Sequence, residues 1–181
     1  MRRLLLLAVL AAVVALGGSS ALPGLGGRGE ATRSGARVVR VVDGDTLAVR
    51  VGGREERVRL LGIDTPESVK PDTPVECGAK AAARALRRRA LGSGGAGRRV
   101  RLVSDPTQDE RDRFGRLLAY VELRDGTDLG RSQVRDGWAE VFVFDDHPFR
   151  RAGDYRRAAR RARAGDRGVW RACGGDFHRA Q

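Results

Sequence analysis

The alternation of apolar and polar positions predicts three short strands at the start of the ordered chain. The strand-like runs are "RVVRVV", "TLAVRV" and "EERVRLL", which lie within residues 37–61. Turn sequences connect them, first "DGD" and then "GGR", and the second is short enough to close a hairpin. We therefore expect the second and third strands to pair antiparallel.

Helical patterns alternate with strands in the rest of the chain. One helix is predicted in "GAKAAARALRRRAL", which is rich in Ala, Leu and Arg and is ended by "GSGGAG". Two further strands are predicted in "RRVRLV" and "GRLLAYVEL". Asp128 is the expected N-cap of a short helix that ends before Gly137, and a long basic helix is predicted over residues 148–170.

Five short strands with one interposed helix favour an α+β fold that is mainly β. The expected architecture is a five-stranded barrel of the oligonucleotide/oligosaccharide-binding (OB) type with about three helices. An α+β fold with an unclosed sheet is the alternative.

The first residues have the three parts of a secretory signal. A basic "MRR" precedes an apolar run from Leu4 to Leu16, and small residues follow it. The run is shorter than the roughly 20 residues that span a bilayer, and an uncleaved anchor is the alternative. We expect a signal peptide over residues 1–21, a secreted or envelope-associated protein, and no stable membrane insertion after cleavage.

Composition also sets the expected domain boundaries and predicts a disulfide. Gly-rich residues 22–36 are typical of a flexible linker, and the OB domain is expected over 37–173, with a C-terminal tail over 174–181. Cys77 and Cys173 are the two cysteines, and they are too far apart for a CxxC motif. In an oxidising compartment, such a pair predicts one structural disulfide.

The chain carries a large excess of positive charge. Lys and Arg number 35 against 23 Asp and Glu, which gives a formal net charge of +12, and Lys70 and Lys80 are the only lysines. Guanidinium groups match phosphate geometry, so this balance favours nucleic acid, anionic lipid or a cell-wall polymer as partner. A composition bias spread over the whole chain is the alternative explanation.

Two short acidic motifs, "DGDT" and "DTPE", are turn sequences when each is taken alone. A hairpin between them would bring Asp45 close to Asp64, with Glu67 nearby. Like charges repel at such a point, and a divalent cation relieves the repulsion. Carboxylate oxygens and the backbone carbonyl of Thr65 suit a hard cation, Ca²⁺ or Mg²⁺, rather than zinc.

Two arginines complete this group of candidate residues. Arg59 is on the strand that leads to "DTPE", and Arg116 stands at the start of a later strand. Each alone is typical of a solvated surface arginine. Together with a hard cation they would bind phosphate oxygens, and Glu67 would orient or deprotonate an attacking water.

The chain resembles the thermonuclease family, the staphylococcal-nuclease-like domains, in five ordered motifs: "VVDGDT", "VRLLGIDTPES", "DRFGRLLAYV", "VRDGWA" and "GVW". The resemblance extends over residues 38–170. It implies the same five-stranded barrel with three helices. It also implies a Ca²⁺-dependent nuclease that acts on DNA and RNA and cuts the P–O5′ bond, leaving 3′-phosphate ends.

The same resemblance implies roles for individual residues. They are the calcium ligands Asp45, Asp64 and Thr65 (through its carbonyl), the glutamate that acts on water, Glu67, and the transition-state arginines Arg59 and Arg116. Asp43 is expected to be structural. A bridge between Cys77 and Cys173 resembles a disulfide of some secreted family members.

The chain departs from the family pattern at aromatic positions. Phe114 stands where the best-known members have a tyrosine, and we expect it to contact substrate by packing or stacking, without a hydrogen bond to phosphate. Phe142 and Phe144 occupy the segment where nucleotide-facing tyrosines are found. His147 and His178 are the only histidines; no cluster surrounds them in the sequence, so both are expected at the surface.

The sequence therefore predicts a secreted, monomeric, calcium-dependent nuclease with DNA or RNA as its substrate. One alternative is a non-catalytic OB-fold protein of the cell envelope, which would retain DNA without cutting it. The other is an envelope-associated structural or adhesive protein, whose activity would not change on Asp45→Ala or Arg116→Ala substitution.

Overall fold

The computed structural model describes residues 30–68, 74–92 and 94–180. The expected signal peptide and residues 22–29 of the expected linker lie outside the described residues, so these stay predictions. Among the residues that are described, no helix has the length and apolar character needed to cross a membrane.

Within the described ranges the chain forms strands, α-helices and one short 3₁₀ turn. The strands are β1 Thr32–Val41, β2 Thr46–Val51, β3 Arg54–Leu60, β4 Ile63–Asp64, β5 Arg99–Val103, β6 Leu117–Leu123 and β7 Glu140–Val141. The helices are α1 Ala79–Leu91, α2 Leu129–Arg135, α3 Ala152–Ala164 and α4 Val169–Ala172. The 3₁₀ turn is Phe144–Asp146.

Five of these strands close into a barrel in the order β1–β2–β3–β6–β5. β1, β2 and β3 form an antiparallel meander, and β5 pairs antiparallel with both β1 and β6. β3 and β6 run parallel, with Val58 opposite Leu117. The closed barrel confirms the predicted α+β, mainly β, architecture and excludes the unclosed sheet.

Apolar residues at alternate positions fill the barrel. Leu47 and Val49 of β2 and Val58 and Leu60 of β3 are each at most 1% exposed. Successive side chains of a strand point to opposite faces. Arg59 therefore points away from the barrel interior, on the face that carries the acidic motifs.

The helices agree with the predicted ones until the C-terminal region. Asp128 caps α2 as expected, since its carboxylate accepts from the backbone N–H of Arg131 at 3.0 Å. The single long helix predicted over residues 148–170 is wrong, because the chain turns between α3 and α4. Gly168 makes that turn with a φ of 56°, and a Cβ there would lie 2.4 Å from the carbonyl oxygen of Gly137.

The ordered domain extends beyond the predicted boundaries at both ends. β1 begins at Thr32 rather than near Arg37. At the other end, Phe177 is 3% exposed, and Ala180 forms an isolated β-bridge with Glu76. The C-terminal segment, residues 174–180, is therefore packed against the domain.

Cys77 and Cys173 form the expected disulfide, across a sequence separation of 96 residues. The bridge lies in a small apolar cluster with Val169 and Phe177. It joins the residues just before α1 to the residue that ends α4. The C-terminal segment is in this way tied to the middle of the chain.

Candidate active site

Pairing of β2 with β3 places the first acidic motif beside the end of β3, from which the second motif follows. The backbone N–H of Leu60 donates to the carbonyl oxygen of Asp45 at 2.8 Å. Position 45 therefore lies opposite position 60, whereas the hairpin alone was expected to place it within a residue or two of Asp64. A turn at Leu61 and Gly62 then brings the second motif back toward the first.

Hydrogen bonds from Thr65 join the two motifs directly. The carboxylate of Asp45 accepts from the backbone N–H of Thr65 at 3.2 Å and from its hydroxyl at 2.9 Å. The hydroxyl of Thr46 donates to the same carboxylate at 3.0 Å. Because Asp45 and Thr65 are each 6% exposed, these bonds form away from bulk water and hold Asp45 in one orientation.

Asp43 shapes the turn that presents Asp45. Its carboxylate accepts from the backbone N–H of Asp45 at 3.0 Å and of Thr46 at 2.7 Å. Burial, and next the neighbouring carboxylate of Asp45, raise the pKa of Asp43 to about 6. Asp43 was expected to be structural, and its hydrogen bonds within the turn agree with that role.

Close packing beneath this turn requires a glycine at position 44. A Cβ on Gly44 would lie 2.6 Å from the hydroxyl oxygen of Thr65 and 2.8 Å from the side chain of Ala82. The fully buried amide of Gln133 donates to the carbonyl oxygens of Gly44 and Ala82 at 2.8 and 3.0 Å. Gln133 therefore ties the turn to α1 and α2, although no sequence motif pointed to it.

Arg59 lies across both acidic motifs. Its Nε is 3.2 Å from a carboxylate oxygen of Asp45, and its Nη2 donates to Asp64 at 2.7 Å. Its Nη1 donates to the carbonyl oxygen of Ile63 at 2.6 Å. Burial raises the pKa of Asp64, while Arg59 opposes that shift and Asp45 adds to it. In this structure, Arg59 compensates the charge of the two carboxylates that the sequence assigns to a cation.

Arg116 is the residue just before β6, and its side chain extends toward the acidic motifs. Its Nε donates to the carboxylate of Asp112 at 2.6 Å, and its Nη1 donates to the hydroxyl of Thr46 at 3.3 Å. Thr46 in turn donates to Asp45, so one hydroxyl links Arg116 to the acidic motifs. Burial acts to raise the pKa of Asp112, but hydrogen bonds from Arg116 outweigh it and lower the pKa.

Asp112 is a functional neighbour that the sequence reasoning missed. Besides the guanidinium, its carboxylate accepts from the backbone N–H groups of Phe114 at 2.9 Å and of Arg116 at 3.0 Å. The aspartate of "DRFGR", four positions before the arginine, was the available signal. These hydrogen bonds fold the loop so that the Asp112 carboxylate lies beside the Arg116 guanidinium and orients it.

Three exposed phenylalanine rings lie in the segments where the family pattern has tyrosines. Phe114, Phe142 and Phe144 are 66%, 44% and 68% exposed. The guanidinium carbons of Arg113 and Arg116 lie 4.8 and 5.3 Å from the centroid of the Phe114 ring. An exposed ring with positive charge beside it suits a stacked nucleobase, and substrate contact by Phe114 stays a prediction.

Glu67 follows the second acidic motif and is held by its backbone. Its N–H donates to the carboxylate of Glu76 at 2.6 Å, and its carbonyl oxygen accepts from the N–H of Glu76 at 2.9 Å. The side chain of Glu67 accepts from the N–H of Ser68 at 2.8 Å. Residues 69–73, which come next, lie outside the described ranges.

His178 is exposed, as expected, but carboxylates that are distant in the sequence lie around it. Its Nε2 is 3.1 Å from Glu140 and its Nδ1 is 3.5 Å from Glu76. Asp64 and Glu140 pair across β4 and β7, and one potential ligand atom from each lies within 4.8 Å of one from His178. This meeting of three distant segments has no local sequence signal. His147 is exposed, as expected.

The oxygen donors of the acidic motifs fit a hard cation. The carboxylates of Asp45 and Asp64 both contact one guanidinium group, so they converge on a single small volume. The side chain of Asp64 is 30% exposed whereas that of Asp45 is 8% exposed, which leaves access from the Asp64 side. Donors that are all oxygen suit Ca²⁺ or Mg²⁺, without choosing between them.

Comparison with known proteins shows which proteins this chain is similar to. Residues 57–172 match a family model described as staphylococcal nuclease homologue. A thermonuclease of Staphylococcus intermedius is 47% identical over 88 residues, which are 49% of this chain and 48% of that protein.

Two more distant relatives come from other genera. Endonuclease YncB of Bacillus subtilis strain 168 is 36% identical over 107 residues, which are 59% of this chain and 47% of that protein. The uncharacterized protein MJ1439 of Methanocaldococcus jannaschii is 29% identical over 157 residues, 74% of this chain and 70% of that protein. The chain spans about half the length of the thermonuclease and the endonuclease that it matches.

Proposed function

This chain belongs to the staphylococcal nuclease homologue family, and from that premise we propose that it is a nuclease that hydrolyses phosphodiester bonds of DNA, RNA or both. The observation that carries the proposal is the convergence of Asp45, Asp64 and Arg59 in one set of contacts. Arg116 joins them through the hydroxyl of Thr46. Relatives named thermonuclease and endonuclease support it.

The proposed cofactor is Ca²⁺, with Asp45, Asp64 and the carbonyl of Thr65 as its protein ligands. Support comes from the oxygen-only donors and from two carboxylates that converge at a buried position. When bound, Ca²⁺ supplies a Lewis acid that stabilises negative charge on the phosphate oxygens.

The two arginines are proposed to bind the oxygens of the scissile phosphate. Arg59 is fixed by the carbonyl oxygen of Ile63, and Arg116 is fixed by Asp112. Each guanidinium is therefore oriented before substrate arrives, so little side-chain entropy is lost when it binds phosphate. Charge that develops on the phosphate oxygens in the transition state would be stabilised by both forks.

Glu67 is proposed to orient the attacking water and to accept its proton. The water would attack phosphorus and the P–O5′ bond would break, with the leaving 5′ oxygen taking up a proton from solvent, so that one product ends in a 3′-phosphate and the other in a 5′-hydroxyl. Glu67 suits this role because its backbone N–H donates to the Glu76 carboxylate and its carbonyl oxygen accepts from the Glu76 N–H, which holds both of its peptide groups. A carboxylate on a fixed backbone keeps the water near the line of attack.

We place this activity outside the cytoplasm. The apolar run after "MRR" supports export, and the bridge between Cys77 and Cys173 is of a kind that persists in oxidising compartments. The net charge of +12 favours encounter with a polyanionic substrate. One chain supplies every residue assigned above, so the proposed active form is a monomer.

A plasmid and an RNA transcript incubated with the purified protein test the function. We expect digestion with Ca²⁺, no digestion with excess chelator, recovery when Ca²⁺ is restored, and 3′-phosphate ends on the products. Asp45→Asn should remove the activity, because a neutral amide is a weaker cation ligand than a carboxylate. The matched control is Asp109→Asn, which neutralises an aspartate outside the site.

Each alternative has its own outcome in the same experiment. Retention of intact DNA on the protein with Ca²⁺ present would favour the non-catalytic binding protein. Digestion that persists in excess chelator would remove the metal from the mechanism. Equal activity of Asp45→Asn and the Asp109→Asn control would remove Asp45 from the site.

A further inference from the structure

Glu76 stands between the proposed active site and the C-terminal segment, residues 174–180. It lies just before α1 and is separated from Glu67 by a stretch that includes the undescribed residues 69–73. Its side chain is 13% exposed, unusually buried for a glutamate outside the barrel. The contacts that this side chain makes with described residues divide into two groups, one for each carboxylate oxygen.

One carboxylate oxygen of Glu76 contacts the backbone of Glu67. Oε2 of Glu76 accepts from the backbone N–H of Glu67 at 2.6 Å. The backbone N–H of Glu76 donates to the carbonyl oxygen of Glu67 at 2.9 Å. Glu67 is thereby held on both sides of its Cα, in a part of the chain that has no regular secondary structure of its own.

The other oxygen faces the C-terminal segment. Oε1 of Glu76 lies 3.5 Å from Nδ1 of His178, and Nε2 of His178 lies 3.1 Å from Glu140. The backbone N–H of Cys77 donates to the carbonyl oxygen of Arg179 at 2.7 Å, next to the β-bridge between Glu76 and Ala180. The C-terminal segment therefore contacts both the backbone and the side chain of Glu76.

The C-terminal segment is itself anchored, so it can act as a support. Cys173, which precedes it, is bonded to Cys77, the residue after Glu76. Phe177 is 3% exposed and packs edge-on against Trp170, with ring centroids 5.3 Å apart. These contacts restrain the segment before His178, and the contacts of Arg179 and Ala180 restrain it after His178.

We propose that Glu76 is a positioning residue for Glu67, and that the C-terminal segment, through His178, holds the Glu76 carboxylate in the orientation this requires. The inference rests on the proposed function, in which Glu67 acts on the attacking water. Rate depends steeply on the placement of such a group, since a displacement of about 1 Å can cost about a hundredfold. Binding of nucleic acid depends on other residues and is unaffected.

Kinetics of Glu76 variants give the first test. Glu76→Ala is expected to lower kcat about tenfold to a hundredfold while KM changes little, because transition-state placement is lost and ground-state binding is kept. Glu76→Gln keeps an oxygen that can accept from the Glu67 N–H, so it should recover most of kcat. Glu55→Ala removes a partly exposed glutamate elsewhere and is the control. A Gln variant as slow as the Ala variant would contradict the inference.

A double-mutant cycle separates positioning from general stabilisation. If Glu76 acts through Glu67, Glu76→Ala should cost no further rate in a Glu67→Gln background. Losses that multiply would show that Glu76 acts independently of Glu67 and would overturn the inference. His178→Ala should lower kcat by less than Glu76→Ala does, and His147→Ala should not. Equal rates for the two histidine variants would remove the C-terminal segment from the proposal.

Amide hydrogen exchange tests the contact without any catalytic assay. Glu76→Ala should speed exchange of the Glu67 amide, while the Leu60 amide, bonded to Asp45, should keep its protection. Unchanged Glu67 exchange would refute positioning by Glu76. A protein that cuts no nucleic acid, yet shows this selective exchange, would refute the proposed function and leave the structural contact standing.

Discussion

A methyl group added at Gly44 should act as a wedge inside the candidate site. The new Cβ of Gly44→Ala would lie 2.6 Å from the hydroxyl oxygen of Thr65 and 2.8 Å from the side chain of Ala82. Such distances are well inside van der Waals contact, so Thr65 must move. It is the residue that donates two hydrogen bonds to Asp45. One methyl group should therefore disturb both the packing and the proposed calcium site.

The magnitude follows from three contributions to the free energy of unfolding. Overpacking of a tight interior costs about 1–3 kcal/mol. Loss of a hydrogen bond to the Asp45 carboxylate costs about 1.5–3 kcal/mol. The smaller backbone entropy of unfolded alanine returns about 0.4–1 kcal/mol. The net destabilisation of Gly44→Ala should be about 2–4 kcal/mol, because a partial shift of Thr65 relieves some strain while weakening its bonds.

Urea unfolding of Gly44→Ala and Gly94→Ala measures the effect against a matched control. Gly94 has open space within 4 Å of the position of its Cβ, so Gly94→Ala should be neutral or slightly stabilising. At a temperature where both variants are folded, Gly44→Ala should also need more Ca²⁺ for half-maximal digestion. Equal stability and equal Ca²⁺ dependence of the two variants would refute the packing argument.

Three further predictions concern rate, stability and substrate. Arg116→Lys should lower kcat/KM at least about tenfold, since the point charge of lysine does not replace the two-pronged guanidinium, while Arg99→Lys on an exposed strand position should leave it unchanged. Similar rates for the two variants would exclude Arg116 from phosphate binding. Replacement of Cys77 and Cys173 by serine should lower the free energy of unfolding by about 4–5 kcal/mol in urea titrations, because the bridge closes a loop of about a hundred residues; an unchanged midpoint would contradict this. Phe114→Ala should raise KM for single-stranded substrate with kcat retained, as expected for loss of base stacking worth about 1–3 kcal/mol, and an unchanged KM would show that the ring makes no substrate contact.

The acidic motifs were recognisable because their placement is largely local. Turn sequences on either side of β2 set the pairing that puts Leu60 opposite Asp45. The sequence did not show the second step, in which Thr65 donates to Asp45 and Arg59 lies across both carboxylates. That step depends on where the chain turns after β3, and a hairpin register alone does not determine it.

The long basic helix was predicted wrongly for a related reason. Its apolar and basic spacing is helical as far as Ala164, and Gly165 is a stop signal in the sequence, but the path of the chain after that glycine depends on contacts elsewhere. The break at Gly168 arises because the chain must approach the carbonyl oxygen of Gly137, at the end of α2. α3 itself ends at Ala164, with Gly165 as its C-cap, and the close approach of Gly168 to Gly137 decides where α4 begins.

The sequence by itself determined the five barrel strands, the turns between the first three of them, the N-cap of α2 and the identity of the acidic and arginine motifs, whereas the short strands β4 and β7 were not predicted. The features that it determined depend on backbone preferences and hydrogen bonds within a few residues, which neighbouring positions encode directly. Tertiary structure alone decided that Gln133 supports the turn at Gly44 and that His178 meets Glu76 and Glu140. Those contacts join segments that are distant in the chain, and they form only once the closed barrel and its packed helices fix where each segment lies.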